Sequence, residues 1–282
     1  MKADANITVV TVVAGRHDHL AAQLRGLAES SVPAAQHVVV SMGDQDIARV
    51  VNAAGSSATV IDTDTTESTL PLARARNLGA RTAITGGADL VVFLDVDCIP
   101  GVDMLDRYAR AASSAEHRAS VLCGPVTYLP PARTHWSASA LVRHTNPHPA
   151  RPNPADGSVE VGSNYDLFWS LSFAVNPDTW GRIGGFFEEY SGYGGEDTDF
   201  AASASVAGID LRWVGGAHAY HQHHPVSSPP LEHIDDIVRN SALFHRRWNR
   251  WPMEGWLAGF EARGLIERFP SGEIRRLESG EA

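Results

Sequence analysis

The chain has 282 residues, 43% of them hydrophobic and 20% charged, with a formal net charge of −10. This length supports one large domain or two small ones, and the acidic balance excludes a general nucleic-acid binder, which carries a basic face. Two cysteines, Cys98 and Cys123, make neither a disulfide framework nor a structural zinc set. Residues 1–20 show no basic segment followed by an apolar one, and no run of about 18 apolar residues occurs. A cytoplasmic protein without a transmembrane segment is therefore expected, with peripheral contact at the inner membrane face left open. A nucleotide diphosphate bound by so acidic a chain requires local arginines or a metal.

In chain order, "NITVVTVVAG" (6–15) reads as a buried strand that breaks at Gly15, and "HLAAQLRGLAES" has helical spacing through Leu20, Leu24 and Leu27. "QHVVVSMGD" predicts a second strand ending at Gly43 and Asp44, and "ATVIDTD" a third. "LPLARARNLGARTAI" predicts a helix with Pro71 suited to its first turn. "ADLVVFLDVD" predicts a fourth strand, closing on Asp95 and Asp97. Apolar strands separated by helices indicate a mostly parallel sheet covered on both faces. Ligands bind such sheets at the carboxyl ends of the strands, so Gly15, Asp44, Asp95 and Asp97 should share one edge.

Further on, "VLCGPVTYLP" reads as one strand, and the Pro-, Asn- and Gly-rich stretch 144–164 as a long mobile loop. From residue 229 onward, "LEHIDDIVRNSALFHRRWNR" and "MEGWLAGFEARGLIERF" read as two helices. The expected organisation is a catalytic domain over 1–225, split near 125 into a nucleotide-binding and an acceptor half, with a C-terminal helical extension over 226–282.

Three constellations carry chemistry. Asp95 and Asp97 lie two apart at a strand end, where two carboxylates can clamp a hard divalent cation, Mg²⁺ or Mn²⁺. Taken alone, a pair of solvated turn acids fits the spacing equally well. In "GYGGEDTDF", glycines that include Gly194 and Gly195 permit close backbone approach, and Glu196, Asp197 and Asp199 follow. Acids in a first turn also suit a helix dipole, but that does not explain the glycines or Tyr193. "HAYHQHHP" places His218, His221, His223 and His224 within seven residues, and imidazole is a common metal ligand. Trp248, Trp251 and Trp256 beside Arg246, Arg247 and Arg250 read as core packing under a solvated basic face, with closure over a ligand, an acceptor site or a membrane contact as the other readings.

A strand ending in D-V-D, a downstream G-x-G-G-E-D-x-D-F and a later histidine-bearing strand end resemble the GT-A glycosyltransferases over residues 6–225. The likeness is nearest to inverting family 2 enzymes and to the galactosyltransferase-type module of β-1,4-galactosyltransferases and chondroitin synthases. The resemblance implies a GT-A (Rossmann-like) α/β fold and an inverting transfer from a nucleotide-sugar, most often UDP-linked, with Mn²⁺ or Mg²⁺. The acceptor would be a carbohydrate, glycolipid or small molecule. It implies nucleotide or donor contacts from Thr11, Val13, Arg16, Asp44, Arg74, Arg76, Asn77, Asp95, Val96, Asp97, Gly194 and Gly195. Asp97 and His221 would ligate metal, with Asp95 as the weaker ligand and His223 and His224 as less favoured ones. Asp197 would be the catalytic base, Glu196 its neighbour on a sugar, and Tyr193 and Trp180 acceptor residues. Three alternatives remain: a sugar-nucleotide nucleotidyltransferase, a zinc hydrolase built on the 218–224 histidines, and a non-catalytic nucleotide-sugar-binding module.

Overall fold

A computed structural model of the protein describes residues 5–63, 69–131, 135–225 and 227–277. The first half runs β1 (Ile7–Val13), α1 (His17–Ala28), β2 (Gln36–Ser41), α2 (Ile47–Ala53), β3 (Thr59–Asp62), α3 (Leu72–Thr85), β4 (Leu90–Leu94), β5 (Cys98–Pro100) and α4 (Met104–Ser113). Then come β6 (Ser120–Cys123), β7 (Val126–Tyr128), α5 (Ala138–Arg143), β8 (Val159–Gly162), β9 (Ser172–Val175), α6 (Pro177–Ile183), α7 (Glu196–Val206), β10 (Asp210–Val214) and β11 (Ala219–His221). The chain closes with α8 (Ile234–Trp248), α9 (Glu254–Glu261), β12 (Ile266–Arg268) and β13 (Ile274–Arg276). Asp64, the end of the expected third strand, lies outside the described residues.

The central sheet has the order β3-β2-β1-β4-β9-β6-β10-β8. Its ladders β1–β2, β2–β3, β1–β4 and β6–β10 are parallel, and β4–β9, β6–β9 and β8–β10 are antiparallel. Alternate residues of the buried strands feed two layers, as the two-residue period of a strand requires. Val10, Val38, Val40 and Phe93 share one apolar cluster with Ala75, Ala80 and Ala83 of α3. Val9, Val92 and Leu94 join Met104, Leu105 and Tyr108 of α4 in another. Gly79 lets α3 lie close, because a Cβ there would come 2.3 Å from Val10 Cγ1.

A second sheet, β5-β11-β7, builds the site. The expected strand over 88–97 stops at Leu94, so Asp95 and Asp97 occupy the turn before β5. The expected strand over 121–130 is two strands, split at Gly124-Pro125. A Cβ on Gly124 would lie 1.8 Å from the Ala217 carbonyl, so glycine permits the bend that sends β7 into the small sheet. There His221 pairs with Cys98, and the Gln222 N–H donates to the Asp97 carbonyl at 2.6 Å.

Two expectations change. The stretch 144–164 is not a structureless mobile loop, since it contains β8 and the buried Arg151. In the C-terminal extension, α8 and α9 form as expected, but α9 ends at Glu261 and a β12–β13 hairpin follows. Gly264, at φ +64°, turns the chain there.

Candidate active site

Gly15 and Arg16 both take positive φ, turning the chain sharply from β1 into α1. The first turn of α1 then carries His19 to the strand ends. Its Nδ1 lies 2.5 Å from Asp97 Oδ1, while Arg16 Nε is 3.5 Å from the same oxygen. On the other side, His224 Nε2 lies 3.4 Å from Asp97 Oδ2. Donor atoms of Asp97, His221 and His224 all fall within 4.8 Å of one another. Burial acts to raise the Asp97 carboxyl, but the His19 hydrogen bond and the Arg16 charge outweigh it and hold it below its ordinary value. Burial lowers His221 to about 4, which keeps the imidazole neutral with a lone pair to offer.

This arrangement sharpens the histidine expectation. His224, rather than His223, completes the set; His223 is exposed, and His218 is bonded to Thr127 Oγ1 at 2.8 Å. His19 was not foreseen, although H-x-H directly after the first strand end was a signal for it. Asp95 stands apart from the converging donors. Its Oδ1 accepts the Asp97 N–H at 3.1 Å, and its main chain is bonded to Leu171, Gln23 and Cys98. Burial, then the Asp97 charge, raises Asp95 to about 6.

Several donor-site expectations move. Thr11 is wholly buried, and its hydroxyl donates to Gln23 Oε1 at 2.7 Å, so its side chain braces β1 against α1. The side chains of Val13 and Val96 are likewise buried, with Leu20, Leu24 and Ile47. Asn77 is used internally, bonded to the Phe186 backbone and to Glu188. Arg74 is half-exposed, 3.8 Å from Glu188. Asp44 sits at the expected edge, where its Oδ2 accepts the Gly15 N–H at 2.8 Å and lies 2.7 Å from His17 Nε2. Burial acts to raise Asp44, but His17 and the Asp46 and Gly15 N–H groups together hold it down.

The second acid pair opens α7. Gly194 and Gly195 have φ of +89° and +92°, a conformation natural to glycine. Glu196 Oε1 accepts from Arg76 Nη1 at 2.9 Å in a buried pair, while Glu196 Oε2 is buried with no hydrogen-bond partner among the described residues. Asp197 Oδ1 accepts from the Thr198 N–H at 2.7 Å. Burial, then the Glu196 charge, raises Asp197 to about 7. Asp199 is structural: Tyr190, Arg247 and Trp248 all donate to it, which fastens α8 to α7.

Helix α8 also holds the glycine-rich loop. Asn240 Nδ2 donates to the carbonyls of Ser191, Tyr193 and Gly194, and Asp236 Oδ2 accepts the Tyr193 N–H at 3.1 Å. A Cβ on Gly192 would lie 2.1 Å from Asp236. The Tyr193 ring stacks on His233 at 4.4 Å and Trp256 at 5.7 Å, giving an aromatic wall from the extension. Trp180 is not part of that wall. It is 8% exposed and packs at 5.1 Å on Phe93 in the core, because α6 turns that face toward the sheet.

The charge of the second acid pair reaches Asp95. Besides Asp97, the Arg76 and Glu196 charges act on the Asp95 carboxyl, and both Asp95 and Asp197 act on the Tyr128 hydroxyl.

Comparison with known proteins agrees with this geometry. The family described as "Glycosyltransferase like family 2" matches residues 9–136, and "N-terminal domain of galactosyltransferase" matches 157–225. Validoxylamine A glucosyltransferase of Streptomyces hygroscopicus subsp. jinggangensis (strain 5008) is 27% identical over 190 residues, covering 60% of this chain and 44% of the relative. Its counterpart in subsp. limoneus gives the same identity, with 41% of the relative covered. The chain thus spans less than half the length of these relatives. Staphylococcus aureus TarS 1-349 in complex with UDP-GlcNAc superposes with a TM-score of 0.61 at 15% identity, covering 92% of this chain and 72% of that one. GalNAc-T7 with UDP, GalNAc and Mn²⁺ gives 0.57 at 12% identity, over 94% and 58%. The two matched segments are similar to a family 2-like glycosyltransferase in the first half and to a galactosyltransferase module in the second, and the architecture is the fold that TarS and GalNAc-T7 share.

Proposed function

We propose that the protein moves a sugar from a UDP-linked donor to an acceptor hydroxyl with inversion at the anomeric carbon. The observation that carries this reading is the Asp97, His221 and His224 donor set at the strand ends, together with a second acid pair at a helix start whose charge reaches Asp95. UDP is favoured because TarS and GalNAc-T7, which share the fold, are described with UDP-GlcNAc and UDP.

Asp97, His221 and His224 offer one carboxylate oxygen and two imidazole nitrogens, a mixed donor set that suits Mn²⁺ better than Mg²⁺. A cation held there stabilises charge on a departing nucleoside diphosphate. His19 and Arg16 orient Asp97 for that work. Asp44, just after β2, would accept a hydrogen bond from the nucleobase.

Asp197 takes the proton of the acceptor hydroxyl as that oxygen bonds to the anomeric carbon and the bond to the diphosphate breaks. A carboxyl near 7 is suited to general-base catalysis close to neutral pH. Arg76 fixes one oxygen of Glu196 and leaves Oε2 to accept a sugar hydroxyl. Tyr193, backed by His233 and Trp256, supplies a ring face to the acceptor.

The test is a thermal-shift series with UDP, GDP, dTDP and CMP, each with and without Mn²⁺. The largest stabilisation is expected for UDP with Mn²⁺. No response to any nucleotide, together with stoichiometric bound zinc in purified protein, would support a hydrolase built on the histidines instead.

A further inference from the structure

Arg151 lies between α5 and β8, outside both acid pairs. Its side chain is buried, 5% exposed, and none of its three guanidinium nitrogens has a hydrogen-bond partner among the described residues. The groups whose charge bears on it are Cys123, Tyr108, Tyr128 and Cys98. Burial keeps all four protonated near neutral pH, so none of them neutralises the guanidinium. A buried cation without an acceptor is expensive.

Two aromatic rings lie against the guanidinium. Its Cζ lies 5.1 Å from the Trp169 ring and 4.7 Å from the Trp213 ring. Aromatic faces attract the charge, but they offer the N–H groups no oxygen acceptor. What remains is an in-plane fork, matched in shape to two oxygens of one phosphate or carboxylate.

The fork sits one layer behind the candidate active site. The His148 N–H donates to the Val126 carbonyl, and Thr127 bridges Pro147, which holds this segment against β7. Tyr128 of β7 packs on His148 at 5.7 Å and on His221 at 4.6 Å. Trp169 stands two residues before Leu171, whose carbonyl accepts the Asp95 N–H at 2.9 Å.

We propose that Arg151, held against Trp169 and Trp213, is a recognition site for an oxyanion bound through both arms of its guanidinium. Two sources carry this chemistry: the diphosphate of the donor, and an acidic group on the acceptor. The guanidinium nitrogens are buried, so entry requires a covering side chain to change rotamer. The site is defined by anion binding and requires no transfer reaction.

The experiment titrates wild type, Arg151→Met and Arg151→Lys, without metal, against inorganic pyrophosphate, UDP, glucose 6-phosphate and glucuronate. Uridine and glucose serve as neutral controls. Wild type should bind at least one oxyanion more tightly than its neutral counterpart. Arg151→Met should weaken that binding at least tenfold, while the ligand-free variant melts at or above wild type. Arg151→Lys keeps the charge but loses the fork, so it should also weaken binding, and it serves if the Met variant does not fold. Loss confined to pyrophosphate and UDP assigns the site to the donor; loss confined to the acidic sugars assigns it to the acceptor. Equal affinity in wild type and variants, or no oxyanion binding by wild type, overturns the proposal. Because only binding is read, this result stands apart from failure of the nucleotide-plus-Mn²⁺ series.

Discussion

The two acid pairs divide their work in the same way but by different means. In Asp95/Asp97, the outer carboxylate is held ionised by His19 and Arg16, and the inner one is pushed up to about 6. In Glu196/Asp197, Arg76 ties down one acid and the other rises to about 7. The difference lies in what the raised carboxyl can reach. Asp95 is locked into its own turn by the Asp97 N–H and three main-chain bonds. Asp197 stands at a helix start with its adjacent Thr198 as the side-chain and main-chain donor. Environments that separate neighbouring carboxyls separate their roles: on the proposed reading, one pair would hold charge and the other would move a proton.

The largest effect should fall on the mobile proton. Asp197→Asn should lower turnover by ~10²–10⁴-fold, the usual worth of a general base, while UDP affinity survives. Asp97→Asn should instead remove the Mn²⁺ dependence of UDP binding. His19→Ala, acting through Asp97, should weaken Mn²⁺ binding by ~10–100-fold, as loss of a ligand-orienting group does, and should leave the pH profile of turnover in place. That profile should rise with pH through about 7 as Asp197 ionises; a flat profile would break the contrast between the pairs.

Stability should respond in the opposite sense. Asp95 and Asp197 hold protons more tightly folded than unfolded, so the folded chain binds more protons from about pH 4 to 7. Stability from these two groups therefore falls as pH rises through that window. Asp44 and Asp97 act the other way, since their lowered values contribute stability above the unfolded carboxylate range. Melting scans of Asp95→Asn and Asp197→Asn against wild type at both ends of the window isolate the first contribution, and both variants should gain most at the upper end. Asn240→Ala should cost about 1–3 kcal/mol in denaturant titrations, because three part-buried carbonyls of the glycine-rich loop lose a shared donor. The smallest change should come from Asp95→Asn on nucleotide binding, since that side chain serves the turn.

Local patterns in the sequence carried the strand-and-helix half well. Continuous valine runs and the leucine spacing of α1 mark elements whose burial is set by their own residues. Asp97 and Asp44 were legible because strand ends of a parallel sheet share an edge, whereas His221, on β11 of the small sheet, was singled out by the family resemblance. What was not legible depends on pairs distant in the chain. Arg76 was read as a donor contact, but its partner Glu196 lies 120 residues away. Thr11 and Trp180 were read outward, and the packing of α1 and α6 turned both inward. His223 and His224 were equally disfavoured, and His224 joins His221 because of how the chain runs after β11, a geometry that spacing within "HQHHP" does not encode. The C-terminal tryptophans and arginines, read chiefly as packing, divide: Trp248 and Arg247 anchor Asp199, whereas Trp256 extends the wall behind Tyr193.

The most direct test of the divided roles is calorimetric titration of UDP with Mn²⁺ into wild type, Asp97→Asn and Asp197→Asn, paired with UDP release from a UDP-sugar by each protein. The account predicts Mn²⁺-dependent UDP binding in wild type and Asp197→Asn alike, its loss in Asp97→Asn, and UDP release by wild type alone. Loss of UDP binding in Asp197→Asn, or its full retention in Asp97→Asn, would contradict it.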